Sequence, residues 1–491
     1  MQTISKRFNG TRKLIALSIL LLTGIPAAQG KSSIQAHSLT LPALSNLVVN
    51  IKTEHPSLFG TAQDFQHARN VTIKQQYGKL ALDKFIKDSE VILSQKPCTH
   101  KKEGKRLLGV CRTVLFRVTT LGMTFRMTGD QRYLERCQNE LLAAAAFNDW
   151  NPSHYLDVAE MTLALAIGYD WLYHELDPDA REKIYTAILE KGLKNSLEVT
   201  RWVKASNNWG QVCHAGMMAG AFATLERNPA ISAFIIHRAI THLPISMAVY
   251  NPNGAYPEGP GYWSYGTDFN ILALDMLFSH LKTDFGLSDL PGFKATIDYL
   301  NIVTGPSGET FNYADGGSKR SSDPAMWWFA RHYKRPDILQ YFELEAFRKY
   351  CSQKLPPDRS GNRLIAISLL WLNEPSTEPM AIQTPLHWSS DSSELITIHR
   401  TSWDNNNAVF VGLKGGSPSA AHAHMDGGSF IYDYASTRWA IDLGGENYHK
   451  IESRGMNLWG REQDGDRWTI FRLNNLSHNT LIIDDNLQIA K

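Results

Sequence analysis

The hydrophobic period of this chain changes once, near residue 385, and that change limits the fold more than any other feature. From about residue 60 to 375, apolar residues recur at helical spacing. Met161, Leu165, Gly168 and Leu172 make one stripe, and Phe269, Leu272, Ala273 and Met276 make another. Asp177-Pro178 reads as an N-cap followed by proline at the first helical position, with Ile184, Ile188 and Leu189 on one face and Gly192 as a stop. Helices of similar length, joined by loops rich in Gly, Pro and Asn, predict a layered all-helical array such as a toroid of helical hairpins. Beyond residue 385 the period is two. Residues 408–414 read as a strand, 429–434 and 438–443 as a hairpin joined by Ala435-Ser436-Thr437, and 479–484 as another strand. Residues 371–385, with three prolines, read as the linker. The expectation is a helical domain over residues 31–375, then an antiparallel β-sheet (sandwich) domain over 376–491. A sandwich this small would leave a sheet edge open, so the β-domain is expected to be incomplete, in a fragment or a shortened chain.

The first residues point to export. Lys6, Arg7, Arg12 and Lys13 precede an apolar run at 14–22 and a small-residue stretch, Ala27-Ala28-Gln29-Gly30. That is the layout of a secretory signal peptide over residues 1–30, and the run is too short to span a bilayer. No later segment is expected to span a membrane. The mature protein is expected to be periplasmic or secreted. Its removal takes four basic residues and no acidic one from a chain of formal charge +2. Without a basic excess no nucleic-acid partner is expected, and a polyanion would need a local basic cleft. Lys101, Lys102, Lys105, Arg106, Arg112 and Arg117 are candidates for one, although such a run also suits a solvated helix face. Five scattered cysteines make no disulfide scaffold and no CxxC pair. Cys98 and Cys111 could bridge in an oxidising compartment, but their spacing does not require it.

Three loop clusters carry the residue types that chemistry needs. The first contains Asn207, Asn208, Trp209 and His214. The second runs through Tyr256, Glu258, Gly259, Gly261, Tyr262 and Tyr265. The third is Ala421-His422-Ala423-His424-Met425-Asp426-Gly427-Gly428. In this order they resemble the heparinase II/III-like polysaccharide lyases. His55-Pro56-Ser57-Leu58-Phe59, Phe311-Asn312-Tyr313-Ala314-Asp315-Gly316-Gly317 and Ser477-His478-Asn479-Thr480-Leu481 agree with that resemblance. It implies an (α/α) toroid followed by a β-sheet domain, with the active site in the cleft between them.

The reaction so implied is β-elimination on an acidic, uronate-containing polysaccharide. The C5 proton of a uronate is weakly acidic while its carboxylate is charged, so donors to that carboxylate stabilise the enolate-like dianion, as an oxyanion hole does. By resemblance Asn208, alone or with Asn207, neutralises the carboxylate; Tyr262 donates to the leaving O4 and, for some uronate epimers, also takes the C5 proton; and His422 is its partner base or a carboxylate contact. Asn207, Trp209, Glu258 and Tyr265 are candidates for substrate contact. Some lyases of this group carry His directly after the neutralising Asn, where this chain has Trp209. More weight therefore falls on Tyr262 and His422, and His214 sits either in the cleft or on the following helix. The resemblance also implies one divalent, structural metal held by His424, Asp442 and His478. Zinc is expected before manganese from the ligand types. A uronyl C5-epimerase on the same scaffold and a non-catalytic glycan-binding protein are the rival readings. A hydrolase would need two carboxylates across a cleft, and no such pair is evident.

Overall fold

The computed structural model describes residues 47–48, 51, 53–355, 361–372, 384–392, 394–403 and 407–490. The expected signal peptide and most of the expected linker lie outside those residues. Among them, helices of nine or more residues are α1 (Ala62–Asn70), α2 (Gln76–Leu93), α3 (Leu108–Thr128), α4 (Gln131–Ala145), α5 (Tyr155–Trp171), α6 (Pro178–Ala187), α7 (Asn208–Ala223), α8 (Pro229–Met247), α9 (Pro260–Leu281), α10 (Pro324–His332) and α11 (Glu343–Ser352). They form two layers. Helices α3, α5, α7 and α9 pack successively side by side, while α4, α6 and α8 connect them and lie outside. The inner helices are apolar on most faces: every residue of α5 is buried, and all of α7 but Trp209. Outer α4 and α6 keep one buried stripe, as amphipathic helices over a core do. Helix α11 returns to pack on α2, which brings the two ends of the helical array together.

Three buried carboxylates on α5 tie this array. Asp157 accepts the Leu107 N–H at 2.7 Å, and Glu160 meets Arg112 and Arg363 at 3.0 and 2.6 Å. Asp170 accepts the Ser57 and Leu58 N–H groups, each at 2.8 Å, and pairs with His55 at 2.7 Å. Gly192 is not a stop. The helix continues through a π-helical segment, Ile188–Lys194, and a Cβ at Gly192 would lie 2.6 Å from the Thr162 hydroxyl. Pro229–Tyr250 is long and apolar enough to cross a membrane by length and composition, contrary to expectation, but 56% of its apolar 18-residue stretch is buried, as in a helix of a protein core. Cys98 and Cys111 are free thiols.

The sheet is a single antiparallel meander in the order β1 (His387–Ser389), β2 (Ile396–Arg400), β3 (Phe410–Lys414), β4 (Phe430–Tyr434) and β5 (Thr437–Ala440). The hairpin turn is shorter than expected. Ala435 and Ser436 both have positive φ, the geometry of a two-residue turn, and Thr437 already pairs with Tyr434. Residues 479–484 form no strand, so the described residues make one sheet and no second layer of a sandwich. The inner face of the sheet carries Ile396, Ile398, Phe410 and Ile431, all buried. It lies on residues 302–311 of the helical domain. Arg400 donates to the carbonyls of Ile302 and Thr304 at 3.1 and 2.7 Å. A Cβ at Gly412 would lie 2.7 Å from the Phe311 ring, so only glycine lets the strand approach this closely. This seating brings the loops at 421–428 and 442–461 over one end of the toroid.

Candidate active site

A cavity of about 1090 Å³ opens where those loops meet the helical domain. Its walls come from the starts of five helices. Leu108, Leu156, Asn208 and Gly261 lie in the first turns of α3, α5, α7 and α9, and Asp323 is the N-cap of α10. Helix N-termini carry partial positive charge, so a chain of near-neutral formal charge still presents a cleft that favours anions. Of the basic run expected to line it, only Arg106 and Arg112 do so. Arg117 is buried against Glu140 at 3.1 Å, and Lys102 donates to Asn151.

Asn207 caps α7 by accepting the Trp209 N–H at 3.2 Å. Asn208 is 2% exposed, lines the cavity, and makes no side-chain hydrogen bond to another described residue. Its amide is therefore open to a ligand. Trp209 lines the same wall, its ring edge-on to His154. His214 lies on α7, buried, with Nε2 3.0 Å from the Val203 carbonyl, and burial lowers its pKa to about 3. It is a core histidine.

Tyr262 stands in the first turn of α9, facing the sheet domain. Its hydroxyl is 2.8 Å from that of Tyr448, which donates to Asp315 Oδ2 at 2.7 Å. The His422 ring lies 4.3 Å from the Tyr262 ring, and its Nδ1 is 2.9 Å from both Asp315 Oδ2 and the Tyr448 hydroxyl. Asp315 is the hub of this network. Burial alone would raise its pKa, but hydrogen bonds from His422 and His424 and the charge of Arg467 hold it well below the usual carboxylate range. Burial raises the Tyr262 phenol above its ordinary value, more than the Tyr448 hydrogen bond lowers it. Tyr262 is thus a neutral donor near pH 7. Two residues of the site hold left-handed backbone, Ala314 at φ 57° and His422 at φ 58°. Such conformations cost about 1–3 kcal/mol each and persist where the surroundings fix them. The bend at His422 aims its side chain at the cleft, while His424 turns inward.

Glu258 and Tyr265, the other expected substrate contacts, are both engaged with the protein's own groups or buried. Glu258 is buried outside the cavity lining, with neither carboxylate oxygen hydrogen-bonded and Oε1 3.7 Å from His422 Nε2. Burial raises its pKa, against the opposing pull of His422. Tyr265 lines the cavity, but its hydroxyl donates to Glu160 at 2.8 Å and its ring lies between Arg112 and Arg363.

Behind His422, His424, Asp426 and His478 each place a possible ligand atom within 4.8 Å of the others. His424 Nδ1, Asp426 Oδ2 and His478 Nε2 are buried without a hydrogen-bond partner, which is costly unless something binds there. Two imidazoles and a carboxylate suit a divalent ion. Asp442, expected as the carboxylate ligand, stands one step back. Its Oδ2 is 2.7 Å from His478 Nδ1, so it orients that ring, and Asp426 takes the forward position.

Asp315, Tyr448 and Asp426, which the structure places beside the expected site residues, are not singled out by the sequence. Asp315 lies within the Phe311-to-Gly317 motif, where nothing in the sequence sets it apart from its neighbours. Tyr448 follows Gly444-Gly445, a glycine pair that passes close to the Asp315-Gly316 loop: a Cβ at Gly444 would lie 2.2 Å from the Gly316 carbonyl. That glycine pair was the available signal.

Residues 396–490 match the family model for "Heparinase II/III-like, C-terminal". Among solved structures, a heparinase III is similar over 89% of this chain and 71% of its own, with 11% identity and a TM-score of 0.50. A heparinase III with methylated lysines matches over 78% of this chain and 56% of its own, with 14% identity and a TM-score of 0.49. A mutant of the heparan sulfate lyase HepC from Pedobacter heparinus matches over 84% of this chain and 63% of its own, with 14% identity and a TM-score of 0.46. The chain thus spans less than two thirds of the length of the last two. No curated protein sequence matches. Residues 396–490 thus resemble a heparinase II/III-like C-terminal domain, and the fold of the described residues, helical array then sheet, is similar to that of a heparinase III.

Proposed function

We propose that this protein is a polysaccharide lyase that cleaves a uronate-containing acidic polymer by β-elimination. One observation carries the reading: the Tyr262 hydroxyl, tied through Tyr448 to Asp315 and His422, shares a cavity with the unengaged amide of Asn208. In this reading the Asn208 amide donates to the uronate carboxylate and strengthens that bond as negative charge builds. His422 takes the C5 proton at Nε2, the ring nitrogen not occupied by Asp315 and Tyr448. The C4–O4 bond breaks, a C4=C5 double bond forms, and Tyr262 gives its proton to the leaving O4. The fold likeness to a heparinase III agrees, and so does the "Heparinase II/III-like, C-terminal" match. His424, Asp426 and His478 are the residues that would hold a divalent metal, which would cross-link the sheet domain. Asp442 would orient His478. The export expected from the N-terminal residues belongs to the same reading.

The test is incubation with acidic polysaccharides, read by absorbance at about 230 nm, where a conjugated enoate forms only by elimination and not by acid–base exchange. Deuterium exchange at C5 without that absorbance would mean an epimerase instead. Intact, unexchanged polymer that is nonetheless bound would mean a glycan-binding protein.

A further inference from the structure

The charge available in the cleft is smaller than its count of basic residues. Among the described residues, seven arginines and lysines line it: Arg106, Arg112, Lys319, Arg320, Lys349, Arg363 and Arg461. Four are held by the protein's own carboxylates. Arg106 meets Glu452 at 2.7 Å, Arg112 and Arg363 meet Glu160 at 3.0 and 2.6 Å, and Arg320 meets Glu343 at 2.7 Å. Glu160 and Glu343 are fully buried, so a ligand that drew these arginines away would leave a buried charge unpaired. Lys319, Lys349 and Arg461 alone have no carboxylate partner among the described residues. Arg461 donates only to the Ser419 carbonyl, at 2.8 Å, two residues from the half-exposed ring of Trp459.

Acidic groups share the same wall. Asp268 and Asp323 both accept the Ala325 N–H, each at 3.1 Å, which brings their carboxylates to one point. Burial, and then the neighbouring Asp323, push the Asp268 carboxyl above its ordinary range. Two carboxyl groups held this close accept hydrogen bonds from sugar hydroxyls and disfavour a further permanent anion beside them.

We propose that this cleft is built for a uronate polymer that carries carboxylates and free hydroxyls but no sulfate esters. The inference rests on the lyase reading and narrows its substrate. Three unpaired cations and the helix N-termini suit the single carboxylate that each uronate presents. Each sulfate would add a permanent charge that, once those three are engaged, meets no free cation among the described residues and faces the Asp268–Asp323 pair.

The experiment compares full-length protein on polymannuronate, polyguluronate and hyaluronan with heparin, heparan sulfate and chondroitin sulfate. Both the unsaturated product and the salt dependence of KM are read. The expected result is a kcat/KM at least tenfold higher on the best unsulfated polymer. Log KM should rise with log salt at a slope of at most about 3, one released counterion for each unpaired cation the polymer engages. Equal or better turnover of a sulfated chain overturns the inference, and so does a slope of about 5 or more, as seven engaged cations would give. If no polymer yields an unsaturated product, the lyase reading fails separately. Affinity electrophoresis on the same polymers then decides the charge preference. Stronger retention by unsulfated chains upholds it; stronger or equal retention by sulfated chains, or none by either, overturns it.

Discussion

The hydroxyls of Tyr262 and Tyr448 lie 2.8 Å apart across 186 residues of sequence. That contact joins the first turn of a toroid helix to the short helix Tyr448–Glu452 of the sheet domain. Neither domain alone builds the site. The toroid supplies Asn208, Tyr262 and Asp315, and the sheet domain supplies His422 and Tyr448.

Tyr262→Phe is expected to lower kcat by about 10²–10⁴, the range for loss of a general acid, while the melting temperature stays within a few degrees. The substitution removes one hydroxyl from a ring that keeps its place against His422. Circular dichroism and initial rates on the same sample check it. A folded Tyr262→Phe protein with wild-type turnover would end the assignment.

Tyr448→Phe tests the network one step further from substrate. Its hydroxyl donates to Asp315, a charged acceptor, and such bonds are worth about 1.5–3 kcal/mol. The expected outcome is a kcat lowered about 10–100-fold with KM within twofold, because Tyr448 orients Tyr262 and His422. A rise in KM alone would make Tyr448 a contact for ground-state substrate.

Asn208→Ala is expected to lower kcat by about 10²–10³, the cost of losing one donor to a developing anion. The unengaged amide sits in the first turn of a 16-residue helix, so the substitution leaves the Asn207 cap in place. Steady-state kinetics separate kcat from KM. An effect confined to KM would make Asn208 a binding residue only.

The sequence made the two-part architecture legible because the hydrophobic period reports directly on helix and strand. It also marked Asn208, Tyr262, His422, His424 and His478, whose residue types stand out in Gly-rich loops. Contacts between distant segments were not legible. Asp315 becomes a hub only when the loop at 421–428 folds over it, and Tyr448 reaches Tyr262 only because glycines at 444 and 445 let one loop lie on another. Asp426 and Asp442 look alike in sequence; what separates them is that one side chain points at His424 and His478 while the other backs His478. Residues 479–484 had strand-like composition, but no neighbouring strand pairs with them.

The seam between the N-terminal segment and α5 should make stability fall at alkaline pH. Burial of His55 works against its charge, but the Asp170 and Glu226 carboxylates prevail and push its pKa up to about 9. A folded-state pKa above the unfolded value of 6.5 gives stability that is fully present below pH 6.5 and is lost as pH rises through about 9. Thermal melts from pH 6 to 10 should therefore show a decline across that window in wild type. In His55→Asn the melting temperature should start lower and change less over the same range. A parallel decline in both proteins would place the titration elsewhere.

The metal cluster allows two aspartates to be told apart. If His424, Asp426 and His478 are the ligands, Asp426→Ala removes one of three protein donors and should empty the site. It should also lower the melting temperature, because the unfolded chain cannot bring the three ligands together. Asp442→Ala removes only the group that orients His478. Loss of such a support typically costs about 10–100-fold in affinity, so this variant should still fill when the metal is in excess. A separate effect of Asp426 complicates the stability readout, because Lys414 Nζ lies 2.7 Å from Asp426 Oδ1 and would lose that partner. Glu394, at 3.0 Å, stays to hold the lysine, and metal content measured by elemental analysis does not depend on that ion pair. Purified wild type is expected to carry about one equivalent of a divalent ion, zinc before manganese. Chelation should lower its melting temperature and leave that of Asp426→Ala unmoved. His422→Ala should keep the metal and lose turnover, since the left-handed bend at residue 422 turns that side chain away from the cluster. A metal retained by Asp426→Ala but lost from Asp442→Ala would return the ligand role to Asp442, and metal-free wild type would remove the site altogether.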